Sequence, residues 1–298
     1  MERIRLNDSV SLSRIIQGFW HITDWKRTPQ ENLDFVYECL KLGVTSFDIA
    51  EIYGDYEAES VFGEVLKLDP ALRSKIEIIT KTGINMASSK RPYTIGHYDT
   101  SYDRIVASCK TSLKKMNTTY IDVFLIHRED PLIDHEEVAR ALKDLTDQGL
   151  IKSYGVSNFD PFKFEALQAA TGNQLVTNQI EWNPLVFEHV NNGNLDVLQK
   201  HHVAPMIWSP LAQGQLFNPN KPKALKVAEV LTALAKKYET APETVAFAYL
   251  LRHPVKAMPI SGSSQTSRLK HAVDALDLNL EREDWYKIYV ASGDKWLR

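Results

Sequence analysis

The segment IDVFLIHREDPLIDHEEVARALKDLTDQGLIKSYGVSN (residues 121–158) contains one complete strand–helix–strand unit. Its first part, IDVFLIH (121–127), is almost continuously apolar, which is typical of a strand that is covered on both faces. Apolar residues then recur at helical spacing from Val138 to Leu145, and Gly149 is placed to end this predicted helix. The run IKSYGVSN (151–158) predicts the next strand, so the segment indicates a parallel strand pair joined by a helix.

The same alternation extends over the whole chain. Short apolar or β-branched runs predict eight strands, at RIIQGFW (14–20), TSFDIA (45–50), IEIITKTG (76–83), IDVFLIH (121–127), IKSYGVSN (151–158), LVTNQIEW (175–182), APMIWSP (204–210) and KAMPIS (256–261). Eight such units average about 37 residues each, which favours a (β/α)8 TIM barrel, while an open doubly wound sheet is the alternative. We therefore predict an α/β fold in which residues 1–298 form a single barrel domain.

Several additions to the barrel are also predicted. Residues 3–15 form a β-hairpin around Asn7-Asp8 that plugs the barrel bottom, and extra helices occupy 225–239, 241–252 and 281–292. Three helix starts carry a capping signal, in the capping boxes Thr28–Glu31 and Thr240–Glu243 and in Asp160-Pro161.

Composition excludes several functional classes. The chain is 44% hydrophobic and 24% charged with a formal net charge of −3, which gives no indication of nucleic-acid or anionic-membrane binding. The longest apolar run, VAFAYLL (245–251), is too short to cross a bilayer. Cys39 and Cys109 form neither a disulfide framework nor a metal-ligand pattern, so we expect no metal and a reducing compartment. A cytoplasmic monomer is the expectation.

Polar residues at the carboxyl ends of barrel strands are the candidates for an active site. Asp48 ends the second predicted strand, Tyr53 follows it, Lys81 ends the third and His127 ends the fourth. An ammonium in an apolar strand is costly unless it is paired, and Asp48 offers the counter-charge. Four interpretations of Lys81 are open: one partner of a structural ion pair, a Schiff-base nucleophile, a phosphate-binding group or a charge that tunes a neighbouring group.

Tyr53 and His127 suit proton transfer. A phenol has an ordinary pKa of about 10, and a nearby Lys81 cation is expected to lower it toward the range of a useful acid. His127 is either a hydrogen-bonded structural residue or a group that orients a carbonyl oxygen. Tyr53 itself is either an aromatic side chain that packs on the barrel rim or the general acid.

Six ordered motifs resemble the aldo-keto reductases, and specifically NADPH-dependent bacterial members. They are FDIAEIYG (47–54), ITKTG (79–83), LIH (125–127), GVSNF (155–159), NQIEWNP (178–184) and WSPLAQG (208–214), and the resemblance runs from residue 18 to residue 269. It implies that Asp48, Tyr53, Lys81 and His127 are the catalytic tetrad, with Tyr53 as the general acid in the reduction of an aldehyde or ketone.

The resemblance also implies a nicotinamide cofactor. Its contacts would be Gly18, Trp20, Ser157, Asn158, Gln179, Trp208, Ser209, Leu211, Gln213, Gly214, Gly262, Ser263, Ser264 and Arg268. Ser157, Asn158 and Gln179 would bond the carboxamide and Trp208 would stack on the ring. Ser263, Ser264 and Arg268 would hold a 2′-phosphate, which favours NADP(H) over NAD(H). His271 and Ala272 depart from the family's Glu and Asn that face the adenine.

Substrate selection and two rival functions stay open. Trp20 is expected to form an apolar wall opposite loop 84–100. About 40 residues follow the last strand and look helical up to Trp296, which suggests no long C-terminal loop and an open pocket for small carbonyl substrates. A cofactor-binding regulatory module, like potassium-channel β subunits, and a Schiff-base aldolase acting through Lys81 are the alternatives.

Overall fold

Each of the eight apolar runs contributes one strand to a closed parallel barrel in the computed structural model, which describes residues 1–293. The strands of this part of the chain are β1 (Arg3–Arg5), β2 (Ser11–Ser13), β3 (Ile16–Gly18), β4 (Ser46–Asp48), β5 (Glu77–Thr82), β6 (Ile84–Asn85), β7 (His97–Tyr98), β8 (Val123–Ile126), β9 (Tyr154–Ser157), β10 (Leu175–Glu181), β11 (Met206–Trp208) and β12 (Met258–Ser261). Around the barrel their order is β10-β11-β12-β3-β4-β5-β8-β9, so chain order is kept and the open-sheet alternative is wrong.

The barrel strands are shorter than the apolar runs that predict them. The run 14–20, for example, contributes only Ile16–Gly18 to the ladder, although Phe19 beyond it is fully buried. Burial continues past the ladder because helices cover the loops that leave each strand. An apolar run therefore marks what is buried and not only what is paired.

Helices surround the barrel, and most of them bury one face, whereas the helix Pro242–Leu251 is buried at every position from Thr244 to Leu250. They are α1 (Pro29–Lys41), α2 (Tyr53–Tyr56), α3 (Ala58–Leu68), α4 (Tyr102–Lys115), α5 (His135–Asp147), α6 (Pro161–Ala170), α7 (Glu188–Asn191), α8 (Asn194–Lys200), α9 (Pro222–Lys237), α10 (Pro242–Leu251), α11 (Thr266–Asp274) and α12 (Arg282–Ala291), with 3-10 turns at Pro70–Lys75 and Ala212–Gly214. The predicted extra helices correspond to α9, α10 and α12. The predicted helical stretch up to Trp296 extends into residues 294–298, outside the described residues.

Two of the three capping predictions are confirmed. Thr28 and Glu31 form the reciprocal capping box of α1, and Asp160 caps α6 by accepting two backbone N–H bonds. The box predicted at Thr240 is wrong, because Ala241 takes the N-cap position and makes no side-chain bond. Pro at the first turn of α10 removes one of the N–H groups that a cap would satisfy.

The amino-terminal hairpin closes one end of the barrel, as predicted. The side chain of Asn7 accepts hydrogen bonds from the backbone N–H of Ser9 (2.9 Å) and Val10 (2.8 Å), which fixes the turn between β1 and β2. Val10 and the fully buried Leu12 pack in the same cluster as the barrel-interior residues. The lower half of the barrel interior is therefore a packed apolar core, and space for a ligand exists only above it.

Cys39 and Cys109 are buried on helices α1 and α4. Burial raises the pKa of each thiol to about 12, so both are neutral packing residues. Within residues 1–293 no helix has the length and apolar character that a membrane crossing requires.

Candidate active site

A cavity of about 860 Å³ opens at the carboxyl ends of the barrel strands. It extends from Tyr53 and His127 near the barrel axis to Ser263 and Arg268 beyond β12. All of the predicted site residues line it except Lys81 and Ser264. They come from strand ends and the segments that follow them, apart from Arg268, which lies in the first turn of the helix Thr266–Asp274. The structure therefore brings the predicted site residues together at one face of the barrel.

Lys81 lies beneath the cavity floor and is fully buried. Its Nζ donates to Asp48 Oδ1 at 2.7 Å, to the carbonyl oxygen of Ile49 at 2.9 Å and to Tyr53 Oη at 3.2 Å. Burial pulls the pKa of Lys81 down, but the charges and hydrogen bonds of Asp48 and Tyr53 outweigh it and raise that pKa overall. A protonated amine with three acceptors has no lone pair for a Schiff base, which argues against the aldolase hypothesis.

Tyr53 presents its hydroxyl between Lys81 and the cavity. The expected net lowering of its pKa is wrong for the ligand-free site, because burial raises the pKa more than the Lys81 cation lowers it. The phenol is accordingly protonated over the whole neutral range. Gly54 follows with φ +57, and a Cβ there would lie 2.4 Å from Thr23 Cγ2, so a larger residue in this turn would be strained and would have to displace the Thr23 side chain.

His127 lies beside Tyr53, with ring centroids 5.8 Å apart and the planes at 75°. Burial, together with the charges of Lys81 and Arg128, lowers the pKa of His127 well below its ordinary value. The imidazole is therefore neutral near pH 7 and carries one N–H donor. Its buried Nδ1 has no hydrogen-bond partner in the described part of the chain.

Gln179 connects the charged pair to the rest of the cavity wall. Its Nε2 donates to Asp48 Oδ2 at 2.7 Å, which occupies the second oxygen of that carboxylate. Ser157 Oγ donates to the Gln179 carbonyl at 3.0 Å, and Asn158 lies between Ser157 Oγ (2.8 Å) and the Nε1–H of Trp208 (2.8 Å). These side chains are therefore held in fixed orientations before any ligand binds.

The loop after β11 continues this wall. Ser209, Leu211, Gln213 and Gly214 line the cavity, and Ser209 (φ 50) and Gln213 (φ 53) adopt left-handed backbone conformations that non-glycine residues rarely hold. Strained residues of this kind cluster at ligand sites, because the surrounding structure has to compensate for them.

The far end of the cavity agrees with only part of the sequence prediction. Gly262, Ser263 and Arg268 line it, and the exposed Arg268 side chain makes no hydrogen bond or ion pair within residues 1–293. Ser264 is not part of the lining, and its carbonyl oxygen accepts a hydrogen bond from Arg27 at 2.6 Å. Ala272, which stands where the family carries an Asn that faces the adenine, is fully buried in the core and offers no polar group to a ligand.

Trp20 and loop 84–100 occupy the substrate side. Trp20 is 52% exposed, lines the cavity and has its ring 6.4 Å from that of Tyr53, which fits the predicted apolar wall. Of the loop only Ile84 reaches the cavity. The short β6–β7 ladder holds the remainder of the loop beside it.

Sequence reasoning missed several lining residues, of which Arg128 and Glu243 are charged. Arg128 directly follows His127 at a strand end, so the rule that selected His127 could have selected it as well. Glu243 lies in the first turn of α10, and no local sequence signal points to the cavity.

Comparisons with known proteins give a consistent result. The sequence profile described as the Aldo/keto reductase family matches residues 14–291. The chain is 42% identical to 6-dehydroglucose reductase of Agrobacterium fabrum over 297 residues, with 99% of each chain covered. It is 41% identical to Oxidoreductase YdhF of Escherichia coli over 285 residues, with 94% of this chain and 93% of the relative covered. A crystal structure of the thermostable aldo-keto reductase Tm1743 with the inhibitor epalrestat superposes with a TM-score of 0.82 at 24% identity, covering 98% of this chain and 100% of that one.

Proposed function

Because this chain belongs to the aldo/keto reductase family, and so is an oxidoreductase, we propose that it reduces aldehydes or ketones to alcohols with NADPH and with Tyr53 as the proton donor. The observation that carries the proposal is the arrangement at the cavity floor. A buried ammonium, Lys81, bridges the Asp48 carboxylate and the Tyr53 hydroxyl. Tyr53 lines the cavity and Lys81 does not, so the Tyr53 hydroxyl is the proton donor that a substrate can reach.

The residues present fit a nicotinamide dinucleotide. One continuous cavity joins Tyr53 to an unpaired guanidinium, Arg268, and the indole of Trp208 forms part of its wall. The Oε1 atom of Gln179 remains available as an acceptor, because its Nε2 is the atom engaged by Asp48. Bound there, NADPH supplies the hydride, and Arg268 with Ser263 provides the charge and the hydroxyl for a 2′-phosphate.

Proton delivery is the task of the chain itself. Tyr53 is protonated at neutral pH and gives its proton to the carbonyl oxygen as negative charge develops there. The phenolate that remains is stabilised by the Lys81 ammonium 3.2 Å away. Asp48 keeps Lys81 charged and in place, so that the ammonium stays next to the Tyr53 hydroxyl.

His127 orients the substrate. A neutral imidazole with its ring edge toward Tyr53 can donate one hydrogen bond to the carbonyl oxygen without competing for the proton. Two donors converging on one oxygen fix its position and polarise the carbonyl bond.

The test is removal of the Tyr53 hydroxyl. Tyr53→Phe is expected to lower kcat for aldehyde reduction by about 10²–10⁴-fold, the usual contribution of a general acid, while NADPH affinity stays near the wild-type value. Tyr102→Phe is the matched control, since it removes a phenol oxygen bonded to Asp144 on the outer helices. Wild-type turnover by Tyr53→Phe would exclude the assigned role. Tight NADPH binding by the wild-type chain without turnover of any carbonyl would favour the regulatory-module alternative.

Substrate and coenzyme are to be defined with a panel. NADPH and NADH oxidation should be followed with nitrobenzaldehydes, simple ketones, sugars and 6-dehydroglucose, which the name of the Agrobacterium relative suggests. We propose that NADPH is preferred. The predicted cytoplasmic location and monomeric state stay predictions.

A further inference from the structure

Arg128 is a cation at the substrate end of the cavity that the proposed chemistry does not use. It follows His127 directly, is half-buried and lines the cavity. Its guanidinium carbon lies 5.8 Å from the ring centroid of Trp208. Within residues 1–293 its side chain makes no hydrogen bond and no ion pair. A partly desolvated guanidinium with all five N–H donors unused is an unusual arrangement.

Neither Lys81 nor His127 adds net charge to the region around Arg128. Lys81 is neutralised by Asp48, and His127 is held neutral. Burial raises the pKa of the Glu181 carboxyl, and the charge of Arg128 lowers that pKa by a smaller amount. Within the described residues the two side chains nevertheless form no ion pair. Arg128 is thus a positive charge facing the substrate space with no bound counter-ion.

The remaining walls of that space are largely apolar. Trp20, Ile52, Ile84 and Trp208 line the cavity and supply apolar surface. Such walls discriminate weakly between carbonyl compounds, because apolar contacts depend mainly on area. A single unpaired guanidinium among them can discriminate strongly, since a carboxylate matches its planar fork with two hydrogen bonds.

We propose that Arg128 is a specificity-determining residue that binds a carboxylate on the substrate, so that the enzyme prefers carbonyl compounds that carry an acidic group. The inference rests on the proposed function, because it names the substrate class of the same site. The carboxylate would lie against the Arg128 guanidinium while the carbonyl oxygen lies between Tyr53 and His127.

The experiment uses a pair of substrates that differ only in charge, 4-formylbenzoate and methyl 4-formylbenzoate. The wild-type chain should have the higher kcat/KM for 4-formylbenzoate. Arg128→Met should lower that value about 10- to 100-fold, mainly through KM, and should leave the ester nearly unchanged. Arg128→Lys should retain part of the preference, since it keeps the charge and loses the bidentate geometry. Arg140→Met is the matched control, because Arg140 also lies over an aromatic ring, that of Tyr102, outside the cavity.

A binding measurement separates this inference from the proposed function. Calorimetric titration of 4-(hydroxymethyl)benzoate and of its methyl ester into the wild-type and Arg128→Met proteins, with and without NADP⁺, requires no turnover. Weaker binding of the acid alone in Arg128→Met supports the inference even if the chain reduces no carbonyl compound of the panel. Absence of all reduction would refute the proposed function and leave this binding result standing. Equal effects on acid and ester, or weaker binding of NADP⁺ itself, would overturn the role of Arg128.

Discussion

The buried pair between Lys81 and Asp48 should reduce the stability of the barrel when either partner is removed alone, and much less when both are removed together. Lys81 is fully buried and Asp48 is 3% exposed, with 2.7 Å between Nζ and Oδ1. Asp48→Asn leaves the ammonium without a counter-charge, and Lys81→Met leaves the carboxylate with only the Gln179 amide. Each change should lower the free energy of unfolding by about 3–5 kcal/mol, the typical cost of an unpaired buried charge.

The double variant Asp48→Asn/Lys81→Met is the decisive control. It contains neither charge, and the amide oxygen introduced by Asp48→Asn can still accept the hydrogen bond that Gln179 donates. Replacing a buried ion pair by uncharged groups is often neutral or stabilising, so its free energy of unfolding should lie within about 1–2 kcal/mol of the wild-type value. Urea unfolding followed by tryptophan fluorescence gives these values, provided that the m-values agree.

The pH dependence supplies a second readout. In Asp48→Asn burial lowers the folded-state pKa of Lys81 below its unfolded value, so the folded form releases a proton that the unfolded chain keeps until about pH 10. Its stability deficit should therefore shrink as pH rises from about 7 to about 9. Two results would contradict this reasoning. One is a double variant whose loss in free energy of unfolding equals the sum of the two single losses. The other is an Asp48→Asn variant as stable as the wild type, because an unpaired buried Lys81 would then cost nothing.

The remaining predictions concern turnover and coenzyme. Because burial raises the pKa of Tyr53, kcat/KM for reduction should stay flat from about pH 6.5 to about pH 10 and fall only above it, whereas a fall near pH 8 would contradict the protonated acid. Arg268→Gln should raise the Kd of NADPH about tenfold or more and leave that of NADH nearly unchanged, as fluorescence titration can measure. Gly54→Ala should lower kcat, because the added Cβ would lie 2.4 Å from Thr23. Gly149→Ala is the control, since Gly149 also has a positive φ (+70) but nothing lies within 4 Å of the added Cβ, so only stability should change. Equal kcat losses in both variants would exclude a role of the turn in presenting Tyr53.

The barrel and the position of its site could be predicted because both depend on local patterns. Apolar runs gave the eight strands, and polar residues directly after them gave Asp48, Tyr53 and His127. Lys81 could be selected because a charge inside an apolar strand is rarely tolerated without a partner. The treatment of residues 1–298 as one domain stays a prediction.

Properties that depend on packing could not be predicted. The pKa of Tyr53 is set by how much solvent the fold removes, and spacing along the chain does not report that quantity. Ala272 lies on the buried face of α11, and the helix phase that places it there depends on contacts with neighbouring elements. Ser264 fits the phosphate-binding pattern, but its carbonyl bonds a residue far away in the sequence, Arg27.

The hairpin of β1 and β2 determines through which end of the barrel a ligand enters and leaves. Since Val10 and Leu12 close the amino-terminal end, anything that reaches Tyr53 has to arrive and depart between the loops at the carboxyl end. Under the proposed function, the coenzyme and the carbonyl substrate would share this one passage, so the exchange of one would depend on the presence of the other. The slower of the two departures would then set an upper limit on the turnover rate.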